Sequence, residues 1–167
     1  MNKAIKHIGT LKQGIKDVSS EYFRLAQEDE AAAQFLQNSG HYRHAAYFFI
    51  QAMEKYVRAK IFQLVNADNE YPRERTRTHN LDELLEFLIE IVCTAPLIKD
   101  QVNGQLEDYV LEGVRFGMLH NDLRYPFYQE KQKVHSVVLV GQADSEICHE
   151  RLERLKPFLR DIDRLRR

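Results

Sequence analysis

The residue types that could do chemistry crowd into one stretch, Arg115 to Pro126, RFGMLHNDLRYP. An imidazole such as His120 takes up and gives back a proton near neutral pH. A guanidinium such as Arg115 can hold negative charge that develops in a reaction. Arg124 and Tyr125 follow at once. The spacing carries a difficulty: five residues apart on a regular helix means side chains about 140° apart. Arg115 and His120 therefore meet only if the helix end unwinds, which Gly117 allows, or if two chains share one site. The bland alternative is a set of ordinary polar contacts at a helix end.

The rest of the chain offers less. Arg73 and His79 are also spaced as Arg-x5-His, but in the polar stretch Asn66 to Thr78, NADNEYPRERTRT, where Arg73, Arg75 and Arg77 read as a solvated basic loop. Glu54 and Lys55 fall on a polar stripe with His44, Gln51 and Arg58 and are expected to pair with neighbouring helices. His41 and His44 are three apart with no third ligand in view, so no metal centre and no cofactor is expected.

These residues need elements to hold them. Apolar positions at three- and four-residue spacing predict a first helix from Gln13 along Ile15, Val18, Tyr22, Leu25, Ala32 and Leu36. Asn38-Ser39-Gly40 stops it. His41 to Val65 reads as a helix apolar on most of its circumference, which places it among several neighbours. Pro72 argues against helix in the loop that follows. Asn80 and Glu83 have capping-box spacing and open a third helix with Leu81, Leu84, Leu85, Leu88, Ile91 and Val92 inward. A fourth carries Leu106, Tyr109, Val110, Gly113 and Val114 on one side and stops before Pro126. Val134 to Val140, VHSVVLV, reads as a strand or extended arm, hairpinned with residues 124–130. A last helix, about Ser145 to Leu165, points Leu152, Leu155, Phe158, Leu159, Ile162 and Leu165 inward, with Pro157 inside it.

The fold class is thus all-α: one antiparallel bundle of about five helices with a short strand-like or hairpin insert before the last. The 167 residues fit a single domain over 1–167, with its core at about 14–165, and residues 1–13 as a lead-in. Net charge is −1, so any nucleic-acid binding must come from a local patch. Cys93 and Cys148 make neither a disulfide framework nor a metal site and read as small packing residues. No apolar run approaches the roughly 20 residues of a membrane span, and the N-terminus has no signal-like apolar core. The expectation is a cytoplasmic protein with no membrane partner.

Three motifs in this order resemble the HEPN domain, a small helical bundle. Gln51-Ala52-x-Glu54-Lys55-x-x-x-Ala59 is similar to the family's second-helix signature. Thr78-His79-x-Leu81-x-x-Leu84-Leu85 is similar to the start of its third helix, and Arg124-Tyr125-Pro126 to the tripeptide after its fourth. The resemblance implies a homodimer that acts on RNA or binds a nucleotide. Many members are metal-independent ribonucleases of toxin or defence type with an Arg-x4-6-His motif, here Arg115 and His120. Their attacking group is the substrate's own 2′-OH. Some are encoded beside a nucleotidyltransferase that acts as antitoxin; others bind nucleotides or proteins without catalysis. On this reading Arg124 and Tyr125 line a nucleotide pocket and Arg73, Arg75 and Arg77 hold RNA backbone. The chain departs from the toxin subgroup at Asp122, where that subgroup has a Tyr two beyond the His.

Overall fold

In the computed structural model, residues 9–10, 13–117 and 119–166 are described, the side chains of 165 and 166 excepted. Most of the expected lead-in and the side chain of Leu165 therefore lie outside the described residues. Helix α1 spans Val18–Asn38 and α2 spans Tyr42–Leu64. Asp17 caps α1 by accepting from the Ser20 N–H. Gly40, at φ 77°, supplies the left-handed turn that reverses the chain into α2. Ile15, expected inside the first helix, precedes it and is exposed.

Helix α2 is the spine of the bundle. It packs against α1, against α7 (Gln142–Asp161) and against α4 (Leu81–Val92). Phe49, Ile50, Met53, Val57 and Ile61 are fully buried along it and meet Leu84, Leu85, Leu88 and Leu152 in one core. Being enclosed on three sides, α2 also buries Glu54 and Arg58 of its polar stripe and, off that stripe, Lys60. Glu54 pairs with its neighbours, as expected, through His79 just before α4 and through His120. Lys55 does pair outward, with Asp29 of α1.

The polar loop holds an unexpected helix, α3, at Glu70–Arg75. Pro72 is its third residue. The first turn has no intrahelical partner for its N–H groups, so proline costs nothing there. The expected fourth helix is also corrected. Helix α5, Pro96–Gln105, continues as a wider π-helical turn, Leu106–Leu111. Glu112 (φ 46°) and Gly113 (φ 75°) then turn the chain out. Arg151 and Arg154 of α7 both pair with Glu112 and pin that turn. Arg115 follows outside any helix, and His120 lies in a separate short helix, α6, Leu119–Asp122.

The insert is a two-stranded antiparallel hairpin, β1 Phe127–Gln129 with β2 Val134–Ser136, in register Phe127 to Ser136. The expected strand thus stops at Ser136. Residues 137–140 run on unpaired, with Val138 and Val140 against the core and Leu139 exposed. Helix α7 passes through Pro157 and ends in a 3-10 turn, Ile162–Arg166. No helix among the described residues is long and apolar enough to cross a membrane.

Gly117 has a packing role. Its N–H donates to the Asp82 carboxylate at 3.1 Å, and a Cβ there would sit 2.8 Å from Cγ of Asn80. Asn80 caps α4 by accepting from the Asp82 and Glu83 N–H groups. Gly117→Ala should displace that cap and lower stability by about 1–2 kcal/mol. A urea midpoint unchanged from the parent would contradict this.

Candidate functional site

Three elements converge on the middle of α2. Helix α2 supplies Tyr47, Gln51, Glu54 and Arg58 at three- and four-residue spacing, so they share one face. The residue before the α4 cap supplies His79. The short helix α6 and the turn after it supply His120 and Arg124.

Glu54 is the hub. Its Oε2 lies 3.4 Å from Nδ1 of His79 and 3.8 Å from the Arg58 guanidinium. Its Oε1 lies 3.4 Å from Nδ1 of His120. Gln51 reaches the same His120 nitrogen with its side-chain amide at 2.8 Å. On the other edge of that ring, Nη1 of Arg124 lies 3.4 Å from Nε2. The two imidazoles stack almost parallel, centroids 4.8 Å apart and planes 8° apart. The Arg124 guanidinium spreads over Tyr47 at 5.9 Å and Tyr125 at 4.9 Å.

Local structure explains why His79 sits where it does. Arg58, buried on α2, donates to the Thr78 carbonyl, and the Thr78 hydroxyl accepts from the Asn80 N–H at 3.0 Å. Both contacts fix the backbone on either side of His79 before α4 begins.

Burial divides the two histidines. The His120 side chain is 5% exposed and that of His79 is 65% exposed. Burial holds His120 below the usual imidazole range, and the positive neighbours His79, Arg124 and Arg58 push the same way. Burial raises the Glu54 carboxyl above its usual value, while Arg58, His79 and Lys55 act in the opposite direction.

The His120 shift has a sign. A neutral ring is favoured in the folded state, so stability is full above the ordinary value of 6.5 and is lost as pH falls from there toward the lowered folded value. His120→Gln should flatten that part of the stability–pH curve. A curve of unchanged slope in the variant would refute the assignment.

Ligand atoms of Glu54, His79 and His120 all lie within 4.8 Å of one another. The arrangement does not suit a metal ion. The parallel rings offer no point that lies in both ring planes, and two guanidiniums flank the group. An excess of positive groups around one carboxylate suits an anion such as a phosphate instead.

Of the expected site residues, His120 and Arg124 belong to the cluster. Arg115 is 67% exposed and pairs with Glu107 of the π-helical turn at 2.8 Å. Arg124 is exposed beside His120, and Tyr125 is 55% exposed. Arg73 and Arg75 lie on α3, where Arg75 pairs with Glu90 at 3.1 Å and covers the Phe87 ring; Arg77 is exposed just beyond. The carboxylate beside His120 is Glu54 rather than Asp122. Sequence reasoning missed Gln51, Glu54, Arg58 and His79 as parts of the cluster. The available signal was Gln51, Glu54 and Arg58 in helical register on an otherwise apolar helix.

A family model, described as HEPN domain, matches residues 19–164. No curated protein and no solved structure matches the chain. The match spans α1 to the final 3-10 turn and takes in every residue of the cluster around Glu54. The chain therefore belongs to the HEPN domain family, and with it to proteins of RNA- or nucleotide-related function.

Proposed function

We propose that this protein is a metal-independent endoribonuclease that holds an RNA phosphate at the cluster around Glu54. The observation that carries the reading is the convergence of His79 and His120, from two separate segments, on one buried carboxylate, with Arg124 on the outer edge of the His120 ring. Metal-independent RNA cleavage needs a proton carrier and a cation. An imidazole of the pair supplies the first and Arg124 the second. The 2′-OH of the substrate attacks its own phosphodiester.

Arg115 enters this reading only through a second copy. It is turned toward Glu107 within its own chain, and its exposure lets it reach the site of a partner in a homodimer. A toxin or defence role, with a nucleotidyltransferase as antitoxin, is the corresponding biological setting. A second reading rests on Tyr125, whose exposed ring lies under the Arg124 guanidinium. That pair forms a platform on which a nucleotide base can stack without being cleaved.

Incubating RNA with the protein and with His120→Ala in excess EDTA separates the two. The expected result is RNA decay by the parent protein and its loss in the variant. Equal decay in both would remove the enzyme reading and leave the nucleotide-binding one, which equilibrium binding of labelled mononucleotides would then test.

A further inference from the structure

The cluster contains two histidines, and the geometry gives them different work. His120 is engaged at both ring nitrogens. Its Nε2 faces Arg124, which can only donate, so the neutral ring must accept there and carry its proton on Nδ1. That proton points to Glu54 Oε1 and the Gln51 amide, which then presents its oxygen, a half-turn about its terminal bond. Buried and committed in this way, His120 has no edge left for a substrate.

His79 is the opposite case. Only its Nδ1 is turned inward, to Glu54 Oε2 at 3.4 Å, and its side chain is 65% exposed. One face lies on the His120 ring. With Nδ1 turned to the carboxylate, Nε2 on the opposite edge is the nitrogen that this exposure leaves to solvent. A carboxylate behind one imidazole nitrogen fixes the tautomer and leaves the other nitrogen as the base.

We infer that His79, held by Glu54, is the general base that takes the proton of the 2′-OH, and that His120 is a positioning residue for Arg124. The inference rests on the ribonuclease reading above and names the proton acceptor within it. The step balances without a redox partner. The 2′-oxygen bonds to phosphorus as its proton passes to Nε2 of His79. The P–O5′ bond breaks, and the leaving oxygen takes a proton from water. The products are a 2′,3′-cyclic phosphate and a 5′-hydroxyl end, and His79 returns its proton to solvent. Arg124 faces the phosphate oxygens. The charged and titratable groups around His79 are Glu54 and Arg58 from α2, His120 from α6, and Arg124 beyond that ring.

The test compares His79→Ala and His120→Ala with the parent protein in EDTA, with and without added imidazole. A non-cleavable 2′-deoxy oligonucleotide serves as the binding probe. His79 is exposed, so its variant is expected to fold. Its kcat should fall by about 10²–10⁴-fold with probe affinity changed by less than about threefold, and added imidazole should restore part of the rate. His120→Ala should weaken probe binding as Arg124 loses its support, with no rescue by imidazole. A His79→Ala rate within about threefold of the parent, or rescue of His120→Ala alone, would overturn the assignment.

A second measurement is independent of turnover. Nitrogen-15 imidazole spectra of the parent should show His79 and His120 both protonated at Nδ1 in their neutral forms, and Glu54→Gln should release His79 toward the Nε2–H form. Finding Nε2–H at His79 in the parent would refute the Glu54–His79 pairing whatever the activity. If the parent cleaves no RNA, the ribonuclease reading and the role of His79 as base fall together, and these spectra then decide whether the pairing itself exists.

Discussion

Glu54→Ala is expected to destabilise the fold by about 3–5 kcal/mol, because it leaves the buried Arg58 without its carboxylate. Glu54 and Arg58 are 2% and 7% exposed. Their separation of 3.8 Å is long for a paired contact, and Arg58 also donates to the Thr78 carbonyl. The loss should therefore be felt beyond α2, in the backbone that carries His79 and enters α4. Replacing both residues with apolar ones of similar size, Glu54→Leu with Arg58→Met, should recover much of the stability, since neither desolvated charge then remains. Denaturant midpoints at constant slope measure both. A single variant as stable as the parent would mean that Glu54 is not the electrostatic hub of the cluster.

The second large effect is on turnover. Arg124→Ala should lower kcat by about 10²–10³-fold, the usual cost of removing one donor to a developing anion. Its stability should change little, because Arg124 lies on the surface, over Tyr47 and Tyr125. Arg124→Lys keeps the charge but loses the planar fork that covers both rings, so it should restore only part of the rate. Losing one phosphate contact should also reduce the salt dependence of RNA binding, by about 0.7 in the slope of log affinity against log salt. An Arg124→Ala variant of parental rate and parental salt slope would place the substrate somewhere else.

Much of the bundle was legible in the sequence because apolar periodicity reports burial directly. The stripe Leu81, Leu84, Leu85, Leu88 gave α4, the Asn80 cap gave its start, and Asn38-Ser39-Gly40 gave the reversal into α2. The hairpin insert was visible as a break in that period. What could not be read depends on packing at a distance. A polar stripe on α2 looks the same whether water or distant segments cover it, so the burial of Glu54 and Arg58 beneath the segments of His79 and His120 was hidden. Pro72 signalled a break because its tolerance in a first turn depends on where the helix begins, and here it begins at Glu70.

The candidate site was legible only in part, for a related reason. Arg115 and His120 are neighbours in a motif, but Arg115 lies outside any helix, just after the turn at Glu112 and Gly113, whereas His120 lies in α6. His120 and Arg124, four apart, do come together. Gln51, Glu54 and His79 join them from positions 69, 66 and 41 residues before His120, a convergence that no local spacing encodes. The three resemblance motifs pointed to those same segments, but as family signatures rather than as contributors to one site.

The central claim is that the cluster around Glu54 cleaves RNA without a metal. The most direct measurement is to incubate a labelled RNA with the purified protein in excess EDTA and identify the ends produced. The account predicts cleavage that yields 2′,3′-cyclic phosphate and 5′-hydroxyl ends and disappears in Arg124→Ala. RNA that stays intact in EDTA, or products ending in 3′-hydroxyl and 5′-phosphate, would contradict it.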